Sequence, residues 1–92
     1  MKQYMVKVPG GKLLKLKIDI DSTKIKSIQI LGDFFVYPEE SLFELEKALL
    51  GVQREQCLDI ISSAIAQQKM TLAGFSANDL NNLIQQAFEE HT

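Results

Sequence analysis

Apolar residues alternate with polar ones as far as Leu31 and recur at helical spacing from Pro38 onward. That change of period across residues 28–38 restricts the chain to a sheet followed by helices. Tyr4, Val6 and Val8 alternate with Gln3, Met5 and Lys7, and Leu14, Leu16, Ile18 and Ile20 with Lys15, Lys17, Asp19 and Asp21. Pro9-Gly10-Gly11 between the two runs reads as a hairpin turn. A two-residue Gly10-Gly11 loop would pair Val8 with Leu13 and Val6 with Lys15, setting the apolar rows on opposite faces. The pattern therefore predicts an odd loop of three or five residues with a glycine at positive φ. A second turn at Asp21-Ser22-Thr23-Lys24 leads to a third strand from about Ile25 to Leu31. Its apolar phase slips between Ile25 and Ile28, which predicts a bulge near Lys26 or Ser27. The expected sheet is a meander with a lysine-rich outer face and an aliphatic inner face.

That inner face needs a cover, and three helical patterns supply it. Pro38-Glu39-Glu40 marks a helix start, with proline tolerated in the first turn and acids complementing the N-terminal dipole. Leu42, Leu45 and Leu49 form a stripe that Phe43 and Leu50 are expected to widen, and Gly51 ends the helix. A second helix from about Gln53 to Gln68 is expected to bury Cys57, Ile60, Ile61, Ala64 and Ile65 before Gly74 interrupts the chain. Ser76 opens a third, with Asp79 completing a capping box and Phe75 placed to staple onto Leu80. Leu80, Leu83, Ile84, Ala87 and Phe88 continue on one face. The predicted class is α+β: a three-stranded antiparallel meander covered on one face by about three helices. Residues 1–92 read as one domain, with the sheet over 1–31 and the helices over 38–90.

A domain of this length buries roughly 60 to 68% of the surface its unfolded chain exposes, so a partner is a natural source of further stability. Residues 1–30 carry seven lysines against two aspartates, a formal balance of +5, while residues 31–92 carry three bases against ten acids, a balance of −7. A basic sheet half and an acidic helical half suit docking to a charged partner. The longest apolar runs fall far short of a membrane span and the N-terminus lacks a signal-peptide apolar core, so the expected location is cytoplasmic.

Self-sufficient catalysis finds no support. One cysteine, Cys57, and one histidine, His91, cannot form a disulfide or a metal site of three or four ligands. Cys57 is expected in the core and His91 is given no role. Gly10-Gly11 does not open a helix, so it is not a phosphate-binding loop. Ser62-Ser63 lies mid-helix without a nucleophile elbow. Asp19, Asp21, Lys15 and Lys17 sit on a solvated strand face, and Arg54 is the only arginine, where phosphoryl chemistry would want guanidinium forks. A nucleic-acid surface is disfavoured because the outward lysines interleave with Asp, Gln and Ser rather than aromatics.

Gly32-Asp33-Phe34-Phe35 occupies the corner between the two periods. Adjacent residues in an extended segment face opposite ways, so one ring is expected in the core and the other at the surface, where it could anchor an interface. These four residues are the candidate partner interface.

Gly10-Gly11-Lys12-Leu13-Leu14, the isoleucine strand entering Gly32-Asp33-Phe34-Phe35, then Pro38, Leu42, Leu45-Glu46 and Leu49-Leu50-Gly51 resemble the C-terminal accessory domain of lipoate-protein ligases. Phe75-Ser76 and Asp79-Leu80 resemble its last helix. The resemblance implies an accessory role, needed chiefly for the activation step, beside a catalytic domain that uses ATP with Mg and lipoate to make lipoyl-adenylate. That catalytic domain then transfers the lipoyl group to lysines of acceptor proteins. In some microbes, archaea among them, the small domain is a separate polypeptide paired with the catalytic subunit. The family's catalytic arginines, glycine triplet and lysine have no match here, so the resemblance implies no catalytic, cofactor-binding or metal residue in this chain. Beginning at methionine and entering the first strand at once, the sequence is expected to be a complete small subunit. A generic protein-interaction domain is the alternative from another class.

Overall fold

The odd-length hairpin loop is present. In the computed structural model, which describes residues 1–91, β1 (Lys2–Lys7) and β2 (Leu13–Asp21) pair with Val6 opposite Leu14 and Tyr4 opposite Leu16. Residues 8–12 form the loop, closed by the Val8 N–H donating to the Lys12 carbonyl at 3.1 Å, with Gly10 at φ 72°. A two-residue loop, Ser22-Thr23, then leads into β3 (Lys24–Gly32), and the antiparallel order is β1-β2-β3. Between Asp19, which faces Ser27, and Ile20, which faces Ile25, the register jumps, leaving Lys26 as the extra residue of the expected bulge.

Bulge and loop together put Tyr4, Leu14, Leu16, Ile18, Ile25, Ile28 and Ile30 into one buried layer. Val6 shares their parity but is exposed, because it lies on edge strand β1 and borders an open groove with Pro9 and Leu83. The other sheet face is uncovered and carries Met5, Lys15, Lys17 and Gln29 in cross-strand rows.

Past Gly32 the chain forms β4 (Phe35–Tyr37), which pairs antiparallel with β5 (Thr71–Ala73) as a separate two-stranded ribbon. The helical half expected over residues 38–90 is thus interrupted by a strand. Val36 is buried and Leu72 half-buried on the ribbon's inner side.

Three helices complete the fold: α1 (Glu40–Leu49), α2 (Cys57–Gln68) and α3 (Ala77–Glu89). Helix α1 packs on β3, α3 crosses β1 and β2, and α2 lies against both helices. Leu45 and Leu49 are fully buried and Leu42 half-buried, as the stripe requires. Phe43 and Leu50 do not widen it: they are 61% and 49% exposed. Each lies one residue, about 100° of helix rotation, beyond a stripe position, and at the β3 edge the sheet has run out of strands to cover them. Pro38 stands just ahead of α1, with its carbonyl accepting the Ser41 N–H at 3.0 Å. The second helical segment opens as a 3-10 turn, Arg54–Gln56, before α2 proper. Cys57, Ile61 and Ala64 are buried there, whereas Ile60 and Ile65 are only half-buried.

Helix α3 follows its sequence signals closely. Ser76 Oγ accepts the Asp79 N–H at 3.2 Å and Asp79 Oδ2 accepts the Ser76 N–H at 2.8 Å, so two otherwise orphaned donors are satisfied. Phe75, Leu80, Leu83, Ile84, Ala87 and Phe88 are all buried. Ser76→Ala is expected to lower the unfolding free energy by about 1 kcal/mol, which in a chain of this size moves Tm by about 4–8 °C. An unchanged melting curve would show that the cap contributes nothing.

Candidate functional site

The corner between the two periods is held by backbone geometry that only these residue types allow. Gly32 closes β3 at φ 150°, and a Cβ there would strike the Leu13 carbonyl oxygen and come within 2.8 Å of the Phe34 ring. Asp33 follows and satisfies both backbone groups of Leu13: its Oδ1 accepts the Leu13 N–H at 2.7 Å and its own N–H donates to the Leu13 carbonyl at 3.3 Å. The Phe34 ring turns inward onto Phe75, centroid to centroid 4.5 Å with the planes tilted 57°. One residue before Phe75, the Gly74 carbonyl accepts the Lys12 N–H at 2.9 Å. Corner, hairpin loop and the entrance to α3 are therefore one connected block.

Phe35 faces the other way, as alternation requires, and is 58% exposed. Two residues on, Tyr37 points to the same side of β4 and is 63% exposed, while Val36 between them is buried. Across the ribbon they oppose Ala73 and Thr71, small side chains that leave both rings standing clear. Of the four predicted interface residues, Phe35 alone presents a large apolar side chain to solvent. Gly32, Asp33 and Phe34 build the corner that presents it. Tyr37 was missed by sequence reasoning; the signal was there in Phe35-Val36-Tyr37, a three-residue alternation too short to register as a strand.

Two aromatic rings on a ribbon anchored to a packed corner are suited to docking, since rigid aromatics bury large areas with little loss of side-chain freedom. Arg54, the only arginine, is engaged within the fold. Arg54 Nε donates to Gln85 Oε1 at 3.0 Å, and Gln85 Nε2 returns a bond to the Arg54 carbonyl at 2.7 Å, so the guanidinium ties the 3-10 turn to α3. Ser62 and Ser63 lie exposed on α2. Among the described residues, no group of three or more His, Cys, Asp and Glu side chains is placed to hold a metal ion, and no helix is long and apolar enough to cross a membrane.

Cys57 is buried at the start of α2, and burial pushes its thiol up to about 11. The thiolate is the nucleophile, so Cys57 is expected to resist iodoacetamide at pH 8 in the folded chain and to react promptly in denaturant. Rapid alkylation of the native protein would contradict the burial.

The comparisons with known proteins follow the same outline. The family model described as bacterial lipoate protein ligase C-terminus matches residues 3–85. A curated relative, lipoate-protein ligase A subunit 2 of Thermoplasma acidophilum, is 41% identical over 59 residues, which is 64% of this chain. The match spans 63% of that relative's own length. Among solved structures, a chain from an archaeal lipoylation system, described as a bipartite lipoate protein ligase and its E2 lipoyl domain from the same organism, superposes with a TM-score of 0.72 at 31% identity. That superposition covers 89% of this chain and 96% of the other. With the family model matched across both the sheet and the three helices, this chain belongs to the bacterial lipoate protein ligase C-terminus family.

Proposed function

We propose that this chain is the non-catalytic small subunit of a two-part lipoate-protein ligase, and that it docks on a catalytic subunit through the outward face of β4. Carrying this reading is the family match over residues 3–85 together with the likeness to a ligase subunit 2. Phe35 and Tyr37 are its anchors, and Gly32, Asp33 and Phe34 hold the ribbon at a fixed angle to the sheet. In this reading the catalytic subunit binds ATP with Mg and lipoate, and its chemistry is activation of the lipoate carboxylate as lipoyl-AMP before transfer to acceptor-protein lysines. No residue of this chain takes part in bond making. Its contribution is to bind the adenylation-competent conformation of the catalytic subunit more tightly than the alternatives, which shifts the population toward that conformation.

The direct test of partnership is to mix the chain with the catalytic subunit from the same organism and resolve the species by size exclusion with light scattering. A one-to-one complex is the expected result. Separate elution at micromolar concentrations, or a different protein as the main catch from cell extract, would overturn the assignment in favour of a general interaction domain.

A further inference from the structure

Strand β1 is one edge of the three-stranded sheet. The Val8 N–H donates to the Lys12 carbonyl, and the same register continues through Val6–Leu14, Tyr4–Leu16 and Lys2–Ile18, so the even residues of β1 bond to β2. Gln3, Met5 and Lys7 therefore turn their backbone N–H and C=O outward, and these groups have no hydrogen-bond partner among the described residues. Little protects this edge. It has neither proline nor bulge, and its centre, Gln3-Tyr4-Met5-Val6, carries no charge, with lysines only at the two ends. Met5 on the outer side and Val6 on the inner are both exposed.

On the inner side an open groove of about 340 Å³ runs between β1 and α3, with Val6, Val8 and Leu83 as its apolar floor and Asp79 and Gln86 on the helix side. Lys2 belongs to this same inner row, next to Tyr4 and Ile18, and has no ion-pair partner among the described residues. An antiparallel copy paired about Met5 sets Met5 opposite Met5, Gln3 opposite Lys7 and Lys2 opposite Val8. Every outward backbone group of Gln3, Met5 and Lys7 is then bonded, and no like charges stand directly opposite one another. The copy's Lys2, over Val8, lays its stem along the apolar floor with its ammonium toward Asp79, and the two-fold axis repeats the contact at the other end. The edge thus carries both halves of its own charge pair. An acid-bearing strand from another protein would set a carboxylate against Asp79 at the place where the copy's Lys2 fits.

We infer that β1 is a self-association edge, where two copies of this chain join their three-stranded sheets into one continuous sheet about a two-fold axis at Met5. No residue of β4 takes part, so this edge is independent of docking on the catalytic subunit. The test uses the chain alone, with sedimentation equilibrium and amide hydrogen exchange over a concentration series up to about 1 mM. A reversible dimer is expected, in which exchange at Gln3, Met5 and Lys7 slows by roughly tenfold or more as newly bonded edge amides should. Tyr4 and Val6, already bonded to β2, should change less. Lys2 is exposed, so its variants leave the free chain folded. Lys2→Glu is expected to weaken the dimer by about tenfold or more, since symmetry counts each lost attraction and each new repulsion twice, whereas Lys2→Arg keeps the affinity. A chain that stays monomeric throughout, a dimer in which the three amides exchange as in dilute solution, or one that Lys2→Glu leaves at full affinity overturns the inference. Protection of the three amides that arises only when the catalytic subunit is added would assign the edge to that partner and overturn it as well.

Discussion

Replacing Phe35 and Tyr37 together by alanine is expected to weaken binding to the catalytic subunit by about a hundredfold or more while the free chain stays folded. A central aromatic anchor contributes about 2 kcal/mol or more on truncation, and two that share one ribbon face exceed the 2.8 kcal/mol that a hundredfold represents. The free chain should tolerate the change because both side chains are mostly exposed, while buried Val36 and the pairing of β4 with β5 hold the ribbon. Phe34→Ala provides the contrast. Its ring is half-buried against Phe75 at the edge of the core, so that variant should lower the melting temperature and affect binding mainly through folding. Calorimetric titration beside thermal unfolding separates the two. Full affinity in the Phe35/Tyr37 variant would move the interface elsewhere on the molecule.

Gly32→Ala is expected to be the most damaging single substitution at the corner, costing about 3 kcal/mol or more of a total stability that is about 5–15 kcal/mol for ordinary domains. The added methyl would meet the Leu13 carbonyl, which belongs to the ladder of β2 and cannot withdraw, and the Phe34 ring, which is pinned against Phe75. Backbone strain at φ 150° adds to the clash. Gly10→Ala isolates the strain, because nothing lies within 4 Å of a Cβ there. That variant should cost only about 1 kcal/mol from the left-handed backbone. Equal losses in the two variants, measured by denaturant unfolding, would show that the close approach at Gly32 is not what the corner depends on.

Much of this architecture was legible because its signals are long. Nine alternating residues in β2 and the need to keep two apolar rows on one face determine the hairpin register, and the phase slip at Ile25 locates the bulge at Lys26. The third helix carries both an amphipathic stripe and a complete capping box, so propensity, capping and burial agree. Strands β4 and β5 escaped because three residues cannot establish a period, and their pairing joins segments more than thirty residues apart in sequence. Periodicity also assigned Phe43 and Leu50 to the core. A helix pattern reports which residues share a side, yet it cannot report where the opposing sheet ends, and here it ends at β3. At the candidate site, opposite orientations for Phe34 and Phe35 followed from strand geometry. Which ring turned inward depended on Phe75, a contact made across forty-one residues of chain.

The charge division takes a spatial form in the fold. Lysines of β2 lie on the uncovered sheet face and Lys26 with Lys47 on the β3 edge, whereas the acids concentrate in the helical half. Docking through aromatic anchors on β4, with basic surfaces nearby to steer an acidic partner, uses both features.

In the proposed function the chain acts on the activation step without performing it. The measurement that addresses this most directly is formation of lipoyl-adenylate from lipoate and ATP by the catalytic subunit, with and without this chain. Adenylate is expected to accumulate when the chain is added, and the Phe35→Ala/Tyr37→Ala variant to fail to support it at the same concentration. Equal adenylate formation in the presence and absence of the chain would contradict it.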